Sequence, residues 1–156
     1  MYRLDFIEYL KKEAKPIRYL ISIVPEDKYE WSPSDNLMNL GKLVNHLART
    51  YAVIWIMLEK VEKIPDEYLQ WDSMPREEAL SVFDREVSRA LDAMSKVSDE
   101  DYLESRAKAF WGVEDKLCNL MMLLADHALH HKMQLFIYLK ILGFELSTTE
   151  LYEGGS

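Results

Sequence analysis

Apolar residues recur at three- and four-residue steps along most of this chain, and the places where that rhythm stops divide it into four segments. The first, over roughly 4–24, sets Leu4, Ile7, Leu10, Ala14, Ile17, Ile21 and Val24 on one helical face. Pro16 lies inside it and predicts a kink or a restart, because proline removes a backbone donor. After Pro25 and a loop containing Trp31-Ser32-Pro33, a second helix is expected from Asp35 or Asn36, both good N-cap residues. Its seam reads Leu37, Leu40, Val44, Leu47, Tyr51, Ile54, Leu58. Leu43, Val53, Ile56 and Met57 widen that stripe, which predicts burial on more than one side.

Residues 60–74 carry Pro65 and no clean period, so they read as a connection. Ser73 is expected to cap a third helix, with Pro75 in its first turn and Leu80, Phe83, Val87, Leu91 and Met94 as its stripe. Ser98 to Asp101 reads as a solvated break, and 106–112 as irregular or briefly extended. The fourth helix is expected from about Glu114 to Leu142, stopped by Gly143. Four amphipathic segments with connections of moderate length predict an all-α fold, one antiparallel four-helix bundle over 1–146 with a C-terminal tail at 147–156.

Composition narrows the function classes. A net charge of −8 with no Lys/Arg cluster argues against a surface that neutralises phosphates, so no nucleic-acid partner is expected. The longest apolar run, Tyr51 to Leu58, is too short for a membrane span. One cysteine, Cys118, cannot form an internal disulfide and suits a reducing cytoplasm.

The chemistry concentrates in the last helix. Three of the four histidines lie in Asp126-His127-Ala128-Leu129-His130-His131. His127 and His131 are one turn apart and about 40° apart around the axis, so both can point at one ion. They continue the seam Leu117, Leu120, Leu124, and Gln134 and Tyr138 follow them. Polar groups there cost on the order of 1–3 kcal/mol each unless partnered. His46 is on an inward stripe of the second helix and supplies a third imidazole. Three such ligands accept Zn²⁺, Ni²⁺ or Fe²⁺ and leave open coordination positions. His130 projects about 60° from His127 and is expected at the solvent or bundle edge. No Glu-x-x-His pair or His-Glu-x-x-His motif exists, which sets aside di-iron and zincin-type sites. Asp126 points elsewhere on this reading, which leaves it support of a ligand ahead of general-base work, and Gln134 is expected to orient a ligand or hold a cofactor or substrate.

The run His127 to Gln134, followed by Tyr138-Leu-Lys-Ile-Leu-Gly143, resembles the closing motif of the DinB/YfiT-like superfamily. Trp31-Ser-Pro33 and Leu43-Val-Asn-His46-Leu resemble that family's approach to its second helix. Met133 departs from the pattern, standing where members often carry glycine and crowding a helix contact. The resemblance implies up-down-down-up topology, a homodimer, and one divalent metal on His46, His127 and His131. It also implies use of a low-molecular-weight thiol, since members include thiol S-transferases and a thiol-dependent isomerase. The expected function is a metal-dependent transfer of such a thiol to a small electrophilic substrate. Hydrolysis by water at the same metal, and a non-catalytic metal-stabilised module with Trp55, Trp71 and Trp111 on a binding surface, are the alternatives.

Overall fold

The computed structural model describes residues 1–155. Its long helices are α1 (Arg3–Ser22), α4 (Arg76–Ser95) and α6 (Leu117–Ile141), with α2 (Leu40–Arg49) and α3 (Ala52–Leu58) in series as the remaining member of the bundle. Short elements complete the chain: α5 (Asp99–Glu104), a hairpin of β1 (Arg106–Lys108) and β2 (Glu114–Lys116), and α7 (Thr148–Tyr152). Side-chain contacts fix the directions. Arg3 pairs with Asp99 and Arg18 with Asp84, so α1 runs antiparallel to α4. Trp55 reaches Glu86 and Glu59 reaches Arg89, so α3 runs parallel to α4. Tyr138 meets Met38 while His127 meets His46, so α6 returns antiparallel to α2. The order is up-down-down-up.

Several boundaries differ from the sequence reading. The second helix starts at Leu40, capped by Asn39, whose Oδ1 accepts from the Lys42 amide at 2.9 Å. Residues 34–37 form a separate turn, and the Trp31 and Tyr29 carbonyls take the first amides of α2. Leu37 is consequently exposed rather than in the seam. Thr50 breaks the helix before Tyr51, its hydroxyl donating back to the Leu47 carbonyl at 2.9 Å. Ser73 does not cap α4, because its side chain packs in the space where a Cβ on Gly41 would stand. Pro16 leaves α1 continuous.

Ser98 opens α5 rather than a solvated break, its hydroxyl oxygen accepting from the Asp101 amide. Glu114–Lys116, expected as helix, pairs in extended register with Arg106–Lys108. Gly143, at φ +95°, ends α6, and the Phe144 amide returns to the Leu139 carbonyl. The segment expected as a tail forms α7 behind a capping box of Ser147 and Glu150 and buries Leu151. No helix of the described residues is long and apolar enough to cross a membrane.

The buried face of α6 also drifts from the expected seam. Its centre runs through Ala125, Ala128, Lys132, Leu135 and Leu139, and Ile141 is exposed. His127 and His131 flank that centre on the α2 side. Met133 is exposed too, so the residue expected to crowd a helix contact crowds none. Lys132 is buried because its Nζ meets Glu13 of α1 at 2.6 Å, with side-chain exposures of 5% and 13%.

Removing one partner of such a pair strands the other, whereas replacing both removes the desolvation cost as well. Lys132→Met is therefore expected to lower unfolding free energy in urea by about 3 kcal/mol. The double variant Glu13→Leu with Lys132→Met should recover most of that loss. A single variant as stable as the parent would show that the pair is not desolvated.

Candidate metal centre

Three elements deliver the site. Helix α2 carries His46, α6 carries His127 and His131, and the connection between α3 and α4 carries Trp71. His46 Nε2 lies 2.9 Å from His127 Nε2. One ring nitrogen from each of His46, His127 and His131 falls within 4.8 Å of the others. The indole of Trp71 stacks on His46 with centroids 4.6 Å apart and planes at 14°. Asn45 fixes that placement: its amide donates to the Asp72 carbonyl and, at 3.5 Å, to that of Gln70, bracketing Trp71.

A hydrogen-bond relay sets the protonation of His131. The Met38 carbonyl can only accept, so the Tyr138 hydroxyl donates to it at 3.0 Å. Tyr138 then accepts from Gln134 Nε2 at 3.0 Å, which turns Gln134 Oε1 toward His131 Nδ1, 2.9 Å away. Oε1 is an acceptor, so Nδ1 carries the proton and Nε2 is left with a free lone pair. Both ends of the Gln134 amide are committed to this relay.

All three imidazoles are held below their ordinary pKa. Burial lowers His46 most, to about 3, with His131 and His127 adding to it. Partial desolvation also lowers His127, exposed though part of its side chain is, and His131, aided by the neighbouring imidazoles and opposed at His131 by the Gln134 hydrogen bond. The group is neutral at pH 7 and presents lone pairs. Two facing Nε2 atoms at 2.9 Å need either one proton or one cation between them, and the third imidazole completes a donor set suited to a divalent transition ion. The residues fit such an ion.

Beside the histidines opens a cavity of about 520 Å³. Its walls are Val53, Ile56 and Ile64 with the aromatic rings of Tyr68, Trp71 and Trp111. Phe110 and Trp111 reach it from the hairpin turn, where Gly112 sits at φ +95°. Asp126 and His130 line it as well. Asp126 thus faces the site after all, and His130 is exposed at its rim. Trp55, by contrast, is core: Glu86, itself buried, accepts from its Nε1 at 2.7 Å and from Tyr68 at 3.0 Å. Of these rings the sequence singled out Trp71 and Trp111, as part of a binding surface; Tyr68 and Phe110 were missed because they come from a connection and a hairpin turn, where periodicity carries no signal. The Phe110-Trp111 pair before Gly112 was the available hint.

The sequence profile of the DinB family matches residues 1–153. This chain belongs to the DinB family. Two crystal structures share its fold. One is the DinB-like protein YjoA of Bacillus subtilis, at TM-score 0.70 and 14% identity over 91% of this chain and 94% of that one. The other is described as a DinB-family member from Exiguobacterium sibiricum, at TM-score 0.69 and 21% identity over 92% and 95% of the two chains. No curated protein matches the sequence.

The depressed histidines bear on stability. Unfolded, an imidazole protonates near pH 6.5, whereas folded His46 resists protonation down to about 3. The unfolded chain therefore binds more protons below 6.5, and stability present above that value is lost as pH falls toward 3. With a chelator present, the urea midpoint should fall from pH 7 to 5, and less steeply for His46→Gln. Identical slopes for the two proteins would show that His46 is not desolvated.

Proposed function

We propose that this DinB-family protein binds one divalent transition metal on His46, His127 and His131 and transfers a low-molecular-weight thiol to an electrophilic small molecule in the adjoining cavity. The observation that carries this reading is the convergence of three neutral imidazoles beside an open, largely apolar cavity whose lining includes His46 and His127. Bound there, a divalent ion would lower the pKa of a thiol at an open position, so that thiolate is present at neutral pH. Gln134 holds His131 in the tautomer with Nε2 free. Trp71, by covering one face of His46, keeps water from that side. Tyr68, Trp111 and the aliphatic wall hold the apolar body of the electrophile. Asp126 is the one carboxylate on the lining and the group available to accept the thiol's proton. The same carboxylate favours hydrolysis as the second reading, with water in place of the thiol. A cytoplasmic setting, where small thiols stay reduced, belongs to the first.

A homodimer is part of this proposal. Met133, Ile137 and Ile141 stand four residues apart on α6 and are 40%, 47% and 58% exposed, an apolar stripe facing away from the bundle. Ile137→Glu is expected to shift the protein toward monomer in sedimentation equilibrium. An unchanged mass would exclude this stripe as the interface.

Protein purified without a histidine tag should hold about one transition metal per chain, a three-histidine site having room for a single ion. Alanine at His46, His127 or His131 should each abolish loading, and His130→Ala should retain it. The loaded protein should consume an aryl-halide electrophile only when a small thiol is supplied. Turnover with water alone would move the assignment to hydrolase. Tight metal retention without any turnover would leave a structural metal in a binding module.

A further inference from the structure

Arg49 stands three residues beyond His46 on α2 and lines the same cavity. It is the one lysine or arginine on that lining. Its Nε donates to Asn45 Oδ1 at 2.9 Å, and its Cζ lies 5.2 Å from the centroid of the Tyr68 ring. Asn45 is itself anchored to the backbone around Trp71, so the guanidinium is held in a fixed plane. Its other N–H groups make no hydrogen bond to the described residues, and Nη1 is buried without a partner. Glu86, which reaches the same Tyr68 through its hydroxyl, is paired with Arg85 instead.

A purely structural role accounts for part of this: Arg49 braces Asn45 and covers Tyr68. It leaves most of a rigid, charged fork unused beside an apolar cavity, and a cation so placed is costly unless it meets an anion. Guanidinium matches carboxylate geometry with two parallel hydrogen bonds. A lone cation also suits a monoanion better than a phosphate dianion. The chain's net charge of −8 repels anions elsewhere, which makes this position distinctive.

We propose that Arg49 is the recognition point for the carboxylate of a small substrate whose aromatic or branched apolar body fills the cavity. Residues three apart on a helix have Cβ atoms about 5–6 Å apart, so a short acid anchored on Arg49 extends its body past His46 and the other two histidines. This deepens the proposed function, naming the class of molecule that the same cavity selects.

The test uses full-length protein after zinc loading, with zinc per chain measured for each sample. Calorimetric titration compares 3-phenylpropanoate with its neutral counterpart 3-phenylpropanol. The parent protein should favour the acid at least about tenfold, the scale of a charged hydrogen-bond pair. Arg49→Gln at equal zinc content should lose most of that preference while its affinity for the alcohol stays unchanged. Arg49→Lys, which keeps the charge but not the fork, should fall between them. It also decides the matter if Arg49→Gln fails to melt cooperatively. Equal affinity for acid and alcohol in the parent, or an unchanged ratio in the variants, overturns the proposal. Tighter binding of phenyl phosphate than of the acid overturns the carboxylate assignment. A parent protein that takes up no zinc counts against the metal centre alone, since the acid-to-alcohol ratio is read on the same sample.

Discussion

His131 has one proton to give inside the protein, and Gln134 takes it. That hydrogen bond ties the site to the bundle, because the Gln134 amide is itself oriented by Tyr138, and Tyr138 by the Met38 carbonyl just ahead of α2. The relay runs from the start of one helix, across α6, to His131 Nδ1, and leaves Nε2 of the same ring free. Each link has a single consistent donor assignment, since a carbonyl oxygen stands at its far end. Trp31 packs edge-on against Tyr138 with centroids 5.7 Å apart, so the loop before α2 holds the relay from outside. The free lone pair of His131 is a consequence of how the second helix is approached.

A second constraint comes from the connection between α3 and α4, which has no regular structure beyond one short turn. Two buried polar side chains hold it. Glu86 of α4 draws in Tyr68, and Asn45 of α2 draws in the backbone on either side of Trp71. Gly41 lets Ser73 settle against α2 at the same end. Arg89 stacks 3.3 Å from the Trp55 ring centroid and closes the group around Glu86. Stability and site geometry are therefore coupled here. Breaking the Glu86 cluster frees the cavity wall, and breaking Asn45 frees both Trp71 and Arg49.

The helices, the family and the histidine triplet were legible because each leaves a periodic trace. Leucines at three- and four-residue steps marked the four segments, and His127 and His131 stood out by replacing leucines in one of them. What escaped was decided by pairs distant in sequence. Lys132 reads as a surface lysine until Glu13, from the first helix, is beside it. Asn39 displaced Asp35 and Asn36 as the cap because loop carbonyls from Trp31 and Tyr29 hold the first amides of α2. Asp126 was expected, on helical angle, to point away from the ion and at most to support a ligand, yet the cavity wraps far enough around α6 to include it. The aromatic wall is assembled from a loop and a hairpin turn, where spacing carries no directional information.

The position of the histidines relative to the core explains why the site can be open. Had His127 and His131 lain on the central line of α6, with Ala128 and Leu135, an ion there would have been sealed in protein. They lie one step aside, so His127 is exposed while His46 and His131 are half-buried, and the cavity begins where the core ends. Three neutral ligands leave a divalent ion its full charge, in contrast to sites built on carboxylates or thiolates. With the proposed ion bound, such a charge at the edge of an apolar cavity, with Arg49 on the same helix as His46, would make a small electropositive volume inside an acidic protein. On the proposed reading, anionic sulfur or carboxylate would be concentrated there. His127 and His131 interrupt the leucine pattern of α6 at the edge of the core, where their ring nitrogens meet that of His46.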